Sequence, residues 1–159
     1  MSSGGQLVCA GLVIYGHQTR VWLAGDSGCS QYILDRRVGQ LVTILPEQET
    51  NDNTPLLSTP DTIDTAIREK VDMWSKRSAG KIKRRGFPSV DFVKVLRNSG
   101  VWVSEPDMGL LYSALPMAFI AEKLGCQVYP DVLNAERDTT QLHKSVQIMG
   151  FSKDQSSVS

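Results

Sequence analysis

The apolar pattern changes period part-way along the chain. Residues 7–15 are mostly apolar and read as a buried strand, closed by a turn at Gly16-His17-Gln18. Residues 19–24 read as its antiparallel neighbour. A second turn, Gly25-Asp26-Ser27-Gly28, leads to a third strand at 31–34, and a polar connection at 35–39 leads to a fourth at 40–45. These make a meander. Leu12-Val13-Ile14 is apolar on successive residues, which predicts cover on both faces of its sheet. Residues 46–54 are acidic and polar and read as an exposed loop, followed by a short strand at 56–58.

The period then becomes helical. Ile63, Ala66, Ile67, Val71 and Trp74 form one apolar stripe, predicting a helix over 63–76 with Trp74 in the core. Thr59 before Pro60 suits its cap, Asp61 and Asp64 its positive end, and Lys76 and Arg77 its negative end. Ser78-Ala79-Gly80 breaks the pattern. Ser89 suits the cap of a second helix over 90–98, with Phe92, Val93 and Leu96 inward. A strand at 101–103 follows Gly100, and Glu105-Pro106-Asp107 reads as a turn. Residues 110–112 read as a strand. Ser113 then caps a third helix over 115–124, with Pro116 in its first turn and Gly125 as its stop. Strands at 127–129 and 145–149 complete the series. The expected fold class is α/β, with one mixed, largely antiparallel sheet and covering helices. The domain spans 7–152, between a flexible N-terminus at 1–6 and a polar tail at 153–159.

Composition narrows the function classes. With 159 residues, the chain suffices for one domain with a core. Seventeen basic and seventeen acidic residues cancel, so no global charge steers the protein toward nucleic acid or a membrane. No apolar run approaches the ~20 residues needed to span a bilayer. Residues 1–5 carry neither the basic nor the apolar region of a secretory signal. Cys9, Cys29 and Cys126 are odd in number and scattered, which points to a reducing intracellular compartment, cytoplasm or organelle interior alike. His17 and His143 have no partners at metal-binding spacing. There is no glycine-rich phosphate loop and no G-x-S-x-G elbow.

The run Leu110-Leu111-Tyr112-Ser113-Ala114-Leu115-Pro116-Met117, closing on Glu122-Lys123-Leu124-Gly125, resembles a segment of class I fructose-1,6-bisphosphatases and sedoheptulose-bisphosphatases, L-L-Y-E-x-x-P-M-x-x-x-x-E-K-x-G. Shorter matches follow in family order. Tyr15-Gly16-x-x-Thr19 resembles the family's Y-G-x-x-T turn. Ile33-Leu34-Asp35 with Gly39 resembles its F-x-L-D-P-x-x-G hairpin. Gly100-Val101-Trp102-Val103 with Pro106 resembles its G-G-I-F-x-Y-P strand, and His143-Lys144 with Ile148-Met149-Gly150 its closing H-Q-R-x-P-V-I-L-G. The resemblance covers the C-terminal half of that family's fold.

It implies metal-dependent hydrolysis of a sugar phosphate, and this chain departs from the required residues. The Glu of L-L-Y-E is a metal ligand in the family, and Ser113 stands there. A neutral hydroxyl is a poor substitute for a carboxylate holding a divalent cation. Asp107 falls near the family's phosphate-binding Lys, where an acidic group repels phosphate. No D-P-x-D-G motif occurs. Arg84 and Arg85 lie near a family segment whose Arg can reach phosphate, within a basic stretch of Lys76, Arg77, Lys81, Lys83, Arg84 and Arg85; Lys81, Lys83, Arg84 and Arg85 are the candidate anion or partner contacts.

Three readings follow. The first is a non-catalytic, fructose-bisphosphatase-like accessory or structural subunit with no cofactor. It needs protein partners, as a hetero- or homo-oligomer, to cover the apolar surface that half a fold exposes. The second is half of a split sugar-bisphosphatase, which alone would involve Mg2+. The third is a nucleic-acid-binding module using residues 76–85.

Overall fold

The computed structural model describes residues 7–44, 56–77, 81–82, 88–97, 100–133 and 144–152. The expected loop at 46–54, the break at 78–80, both termini and His143 lie outside the described residues.

The meander forms as expected. β1 (Ala10–Ile14), β2 (Arg20–Gly25), β3 (Gly28–Asp35) and β4 (Gln40–Ile44) pair in sequence order, each antiparallel to the next. Register places Leu12 opposite Trp22 and Trp22 opposite Gln31, so these side chains share one face. In the β3–β4 turn, Arg37 donates to both carboxylate oxygens of Asp35. That guanidinium contact holds the Asp35 carboxyl below the usual carboxylate range.

The remaining strands make a second sheet instead of extending the first. β5 (Leu56–Ser58), β6 (Lys81–Ile82), β7 (Val101–Val103), β8 (Cys126–Tyr129) and β9 (Met149–Ser152) lie in the order β6-β5-β7-β9-β8. β5 is parallel to β6 and β7, while β9 is antiparallel to β7 and β8. The expected single sheet is thus two, one antiparallel and one mixed. β6 arises where only a basic segment was expected.

Helices α1 (Thr65–Arg77), α2 (Pro88–Arg97) and α3 (Leu115–Lys123) complete the fold. α3 packs on β1 and β2 on one side and on β8 on the other; α2 packs on β5, β7 and β9. Both therefore lie between the sheets, in a core that includes Trp22, Phe92, Trp102, Phe119 and Ile120. Phe92 and Trp102 meet edge to face, with centroids 5.0 Å apart. α1 covers the far side of the second sheet, where Ile67, Val71 and Trp74 pack with Leu57, Val101, Val103 and Phe151. β7 is buried on both faces because Val101 and Val103 point to one helical layer and Trp102 to the other.

The caps of the first two helices differ from expectation. α1 is capped by Asp64, whose Oδ1 accepts the Ala66 N–H at 2.9 Å, and not by Thr59. α2 starts at Pro88, which puts Ser89 inside its first turn. Gly125 does end α3, at φ 81°, a conformation that costs glycine little.

Two expected strands also change. Residues 110–112 are the start of a π-helical turn, Leu110–Ala114, that runs into α3. The last strand is Met149–Ser152 and not 145–149. In the place of both stands one isolated bridge, Gly109 to Ser145, flanked by Val146 N–H to Met108 O and Leu110 N–H to Lys144 O, each 2.9 Å. One bridge between the segments leaves each free to roll into its next element.

Gly100 lies where there is no room for a side chain. A methyl group there would run into the Leu56 carbonyl oxygen and lie 2.8 Å from Val95 Cγ1. Gly100→Ala should cost about 3 kcal/mol, read as a lower urea midpoint with unchanged slope. Gln31 is 4 % exposed, yet among the described residues neither its amide oxygen nor its nitrogen has a partner, and the Trp22 indole N–H has none either. Removing an unsatisfied buried amide should help: Gln31→Leu is expected to stabilise the fold by about 1 kcal/mol, measured by the same titration.

Candidate functional site

The turn entering α3 is the first place to look, because the sequence motif lies there. The Gly109 carbonyl accepts the N–H groups of both Ser113 and Ala114, each at 3.1 Å, and Leu115 N–H bonds to Leu110 O. The second and third of these bonds are i→i+5 and widen the turn by one residue. Ala114 is fully buried, Tyr112 is 79 % exposed, and Ser113 is half-buried between them. Ser113 does not cap α3: its cap position is Ala114, and no side chain bonds there. The widened turn starts a helix at Leu110 and leaves Ser113 inside it.

Asp107 sits in the expected turn, closed by Met108 N–H to Glu105 O at 3.4 Å, and its side chain is exposed. Of the four basic candidates, Lys81 lies in β6, opposite Leu56 at the edge of the second sheet. Lys83, Arg84 and Arg85 lie outside the described residues. His17 is exposed in its turn, and Trp74 is 2 % exposed in the core, as its stripe required. Among the described residues no three His, Cys, Asp or Glu side chains cluster to hold a metal.

A second feature had not been expected. Gln147, 8 % exposed, reaches three backbone groups in two segments. Its Oε1 accepts the Asp64 N–H at 2.7 Å, and its Nε2 donates to Thr62 O at 3.0 Å and to Ser104 O at 2.8 Å. The fully buried Ser104 hydroxyl accepts the Ile148 N–H at 2.9 Å and donates to Glu105 O at 3.0 Å. These bonds hold the start of α1 against the end of β7. Beside them opens a cleft of about 490 Å³, lined in part by Ile63, Asp64, Pro106, Tyr129 and Ser145. Lys70 places its ammonium 4.5 Å from the centre of the Tyr129 ring. The signal in the sequence was one polar residue interrupting Val146-x-Ile148-Met149.

The third feature is surface. Leu12 and Ile14 pack toward the core, but Val13 is 44 % exposed, so within this chain β1 is covered on one face and the second cover expected for it is not supplied by the described residues. Leu23 on the same outer face is 47 % exposed, and Leu41 on β4 is 48 % exposed. Among the described residues the helices lie on the inner face alone, and apolar side chains are exposed on the outer face.

No family model matches the chain. Among curated proteins, it is 24 % identical to the class 1 fructose-1,6-bisphosphatase of Crocosphaera subtropica over 156 residues, covering 85 % of this chain and 44 % of that enzyme. It is 27 % identical to that of Leptospira biflexa over 135 residues, covering 74 % and 39 %. The chain's homologues are class 1 fructose-1,6-bisphosphatases. Among solved structures, the fructose-1,6-bisphosphatase of Leishmania major in holo form superposes with a TM-score of 0.79 at 22 % identity, over 99 % of this chain and 53 % of that one. Its apo form gives 0.77 at 22 % identity, over 95 % and 53 %. The fold is that of a fructose-1,6-bisphosphatase, and the chain spans about two fifths of the curated relatives and half of the solved ones. That extent is consistent with the C-terminal half to which the motifs point.

The Gln147 bonds can be tested directly. Gln147→Leu leaves one N–H and two carbonyls without partners and should cost about 2–3 kcal/mol, read from thermal unfolding. Gln147→Glu retains the acceptor but cannot donate to Thr62 O and Ser104 O at neutral pH. It should be at least as damaging.

Proposed function

We propose that the chain is a non-catalytic, fructose-bisphosphatase-like protein acting as a structural or accessory subunit, with protein partners over its apolar outer sheet face. The observation that carries this reading is Ser113. The resemblance puts a metal-binding carboxylate there, and the widened turn holds a half-buried hydroxyl. A hydroxyl has no charge to offset that of a divalent cation. Asp107 adds to the case, since an exposed carboxylate near the expected phosphate Lys opposes a sugar phosphate. The free cysteines, of which Cys9 is exposed, fit a reducing intracellular compartment.

One observation favours a second reading. A chain spanning half of an enzyme's fold could be completed by a separate chain carrying the other metal ligands. Mg2+ and carbohydrate metabolism as a catalytic role belong to that reading. Co-purification with a chain bearing a D-P-x-D-G-S motif would support it. The nucleic-acid reading rests on a basic segment that lies largely outside the described residues, and nothing else favours it.

The deciding experiment is phosphate release. The purified chain should release no phosphate from fructose-1,6-bisphosphate above a no-protein control, with Mg2+ or with Mn2+. Ser113→Glu alone should not raise it, because one ligand does not rebuild a multi-metal site. Metal-dependent release that is lost on mutating a residue of this chain would overturn the proposal.

A further inference from the structure

The charges of the chain cancel overall but not at one end of the meander. The β1–β2 turn and the β3–β4 turn lie side by side there. Arg36 donates to the Gly16 carbonyl at 3.0 Å, and the Leu34 N–H to Thr19 O at 2.9 Å. Residues 15–20 and 35–40 hold three arginines, Arg20, Arg36 and Arg37, against one acidic residue, Asp35. Arg37 meets that carboxylate at 3.2 Å, yet its side chain stays 90 % exposed. Each turn also holds a large apolar side chain in solvent: Tyr15 is 82 % exposed and Val38 62 %. Among the described residues, Val8 and Tyr112 are exposed to a similar degree, in different settings. Val8 lies at the opposite end of the meander, beside Gly25, where Asp26 is the one charged residue of 7–9 and 25–28. Tyr112 stands in a stretch with no basic residue from 108 to 121. Apolar tips and arginines coincide at the Tyr15 and Val38 end.

We infer that this end of the meander docks on an anionic lipid surface, with Tyr15 and Val38 entering the interface and the arginines meeting the headgroups. The inference goes beyond the subunit reading and does not depend on it. The combination of side chains selects the occupant. A free phosphate or an acidic peptide would be met by the arginines and would leave both apolar tips in water. A nucleic acid could stack a base on Tyr15 but has no use for Val38. A bilayer interface uses all of them. Tyrosine sits at headgroup depth, a small aliphatic side chain reaches the acyl boundary, and cations meet the negative leaflet. The tips are hairpin turns, convex rather than grooved, and the Arg36 bond to Gly16 ties them together so that both reach one yielding surface. Such docking needs no spanning helix, and among the described residues no helix is long and apolar enough to be one. Three arginines less one aspartate leave a local charge of about +2, so binding is weak and reversible.

The test uses the full chain and vesicles of phosphatidylcholine with phosphatidylserine. The chain should pellet with them at about 0.1 M salt and be released at about 1 M, where the screening length falls to about 3 Å. Vesicles of phosphatidylcholine alone should bind it about tenfold less. Arg37→Gln should weaken binding to the anionic vesicles about fivefold. Tyr15→Ser with Val38→Ser should weaken it about tenfold, with the melting curve unchanged because both side chains are exposed. Insertion has its own readout. Trp22, Trp74 and Trp102 are buried, so their emission should not respond to vesicles. Tyr15→Trp adds an exposed indole whose emission should move to the blue when anionic vesicles are added. Met73→Trp, on α1 beyond the second sheet, should show no such move. Failure to pellet with anionic vesicles overturns the inference. So does pelleting that survives both the Arg37 and the Tyr15 and Val38 substitutions. Pelleting with an unshifted Tyr15→Trp means adsorption by charge alone and also overturns it, as does binding of RNA or inorganic phosphate through Arg37 without binding of vesicles.

Discussion

Burial of α3 is the constraint on which the rest of the fold depends. Leu115, Met117, Ala118, Phe119, Ile120 and Ala121 are all buried, so the helix has apolar residues on every side. An ordinary surface helix hides one stripe against one sheet. This one has to be enclosed, and the chain encloses it between two sheets. The meander supplies one wall, with Trp22 and Ala24, and the second sheet supplies the other, with Trp102 and Cys126. The mixed sheet is then apolar on both faces, which is why α1 must close its far side.

The same helix explains the turn before it. Ala114 and Leu115 must enter the core together, at 0 % and 2 % exposure. One extra residue in the turn lets Leu110 and Leu111 pack against the core while Tyr112 stays in solvent. Ser113 is therefore held by the packing of its neighbours and by its backbone N–H to Gly109 O. A group in that position can be exchanged without disturbing the core.

Much of the fold was legible in the residues. The meander, β5, β7 and the stripe of α1 follow from period and turn chemistry, because each is decided by neighbours within a few positions. What was misread depends on distant contacts. Leu110-Leu111-Tyr112 has strand-forming residues and became a helical turn, because among the described residues strand pairing beside it is limited to one bridge, Gly109 to Ser145. Thr59 has a good capping side chain and lost to Asp64, whose N–H is fixed by Gln147, 83 residues away. Two sheets and one sheet leave the same local pattern; only the all-round burial of α3 separates them. The family motif located the candidate site, and the Gln147 cleft was missed because a lone buried amide has no spacing to read.

The strand order of the second sheet carries a consequence for how the chain is made. β9, at Met149–Ser152, lies between β7 and β8, and all three of its neighbouring residues in β7 precede it by more than 40 positions. The meander consists of hairpins and can close as it emerges from a ribosome. The mixed sheet has a gap at its centre until the last strand is synthesised. Until then the face of Trp102 and the face of Val101 share an open edge, and a nascent chain holds that edge exposed while the roughly 50 residues from β7 to the end of β9 are made.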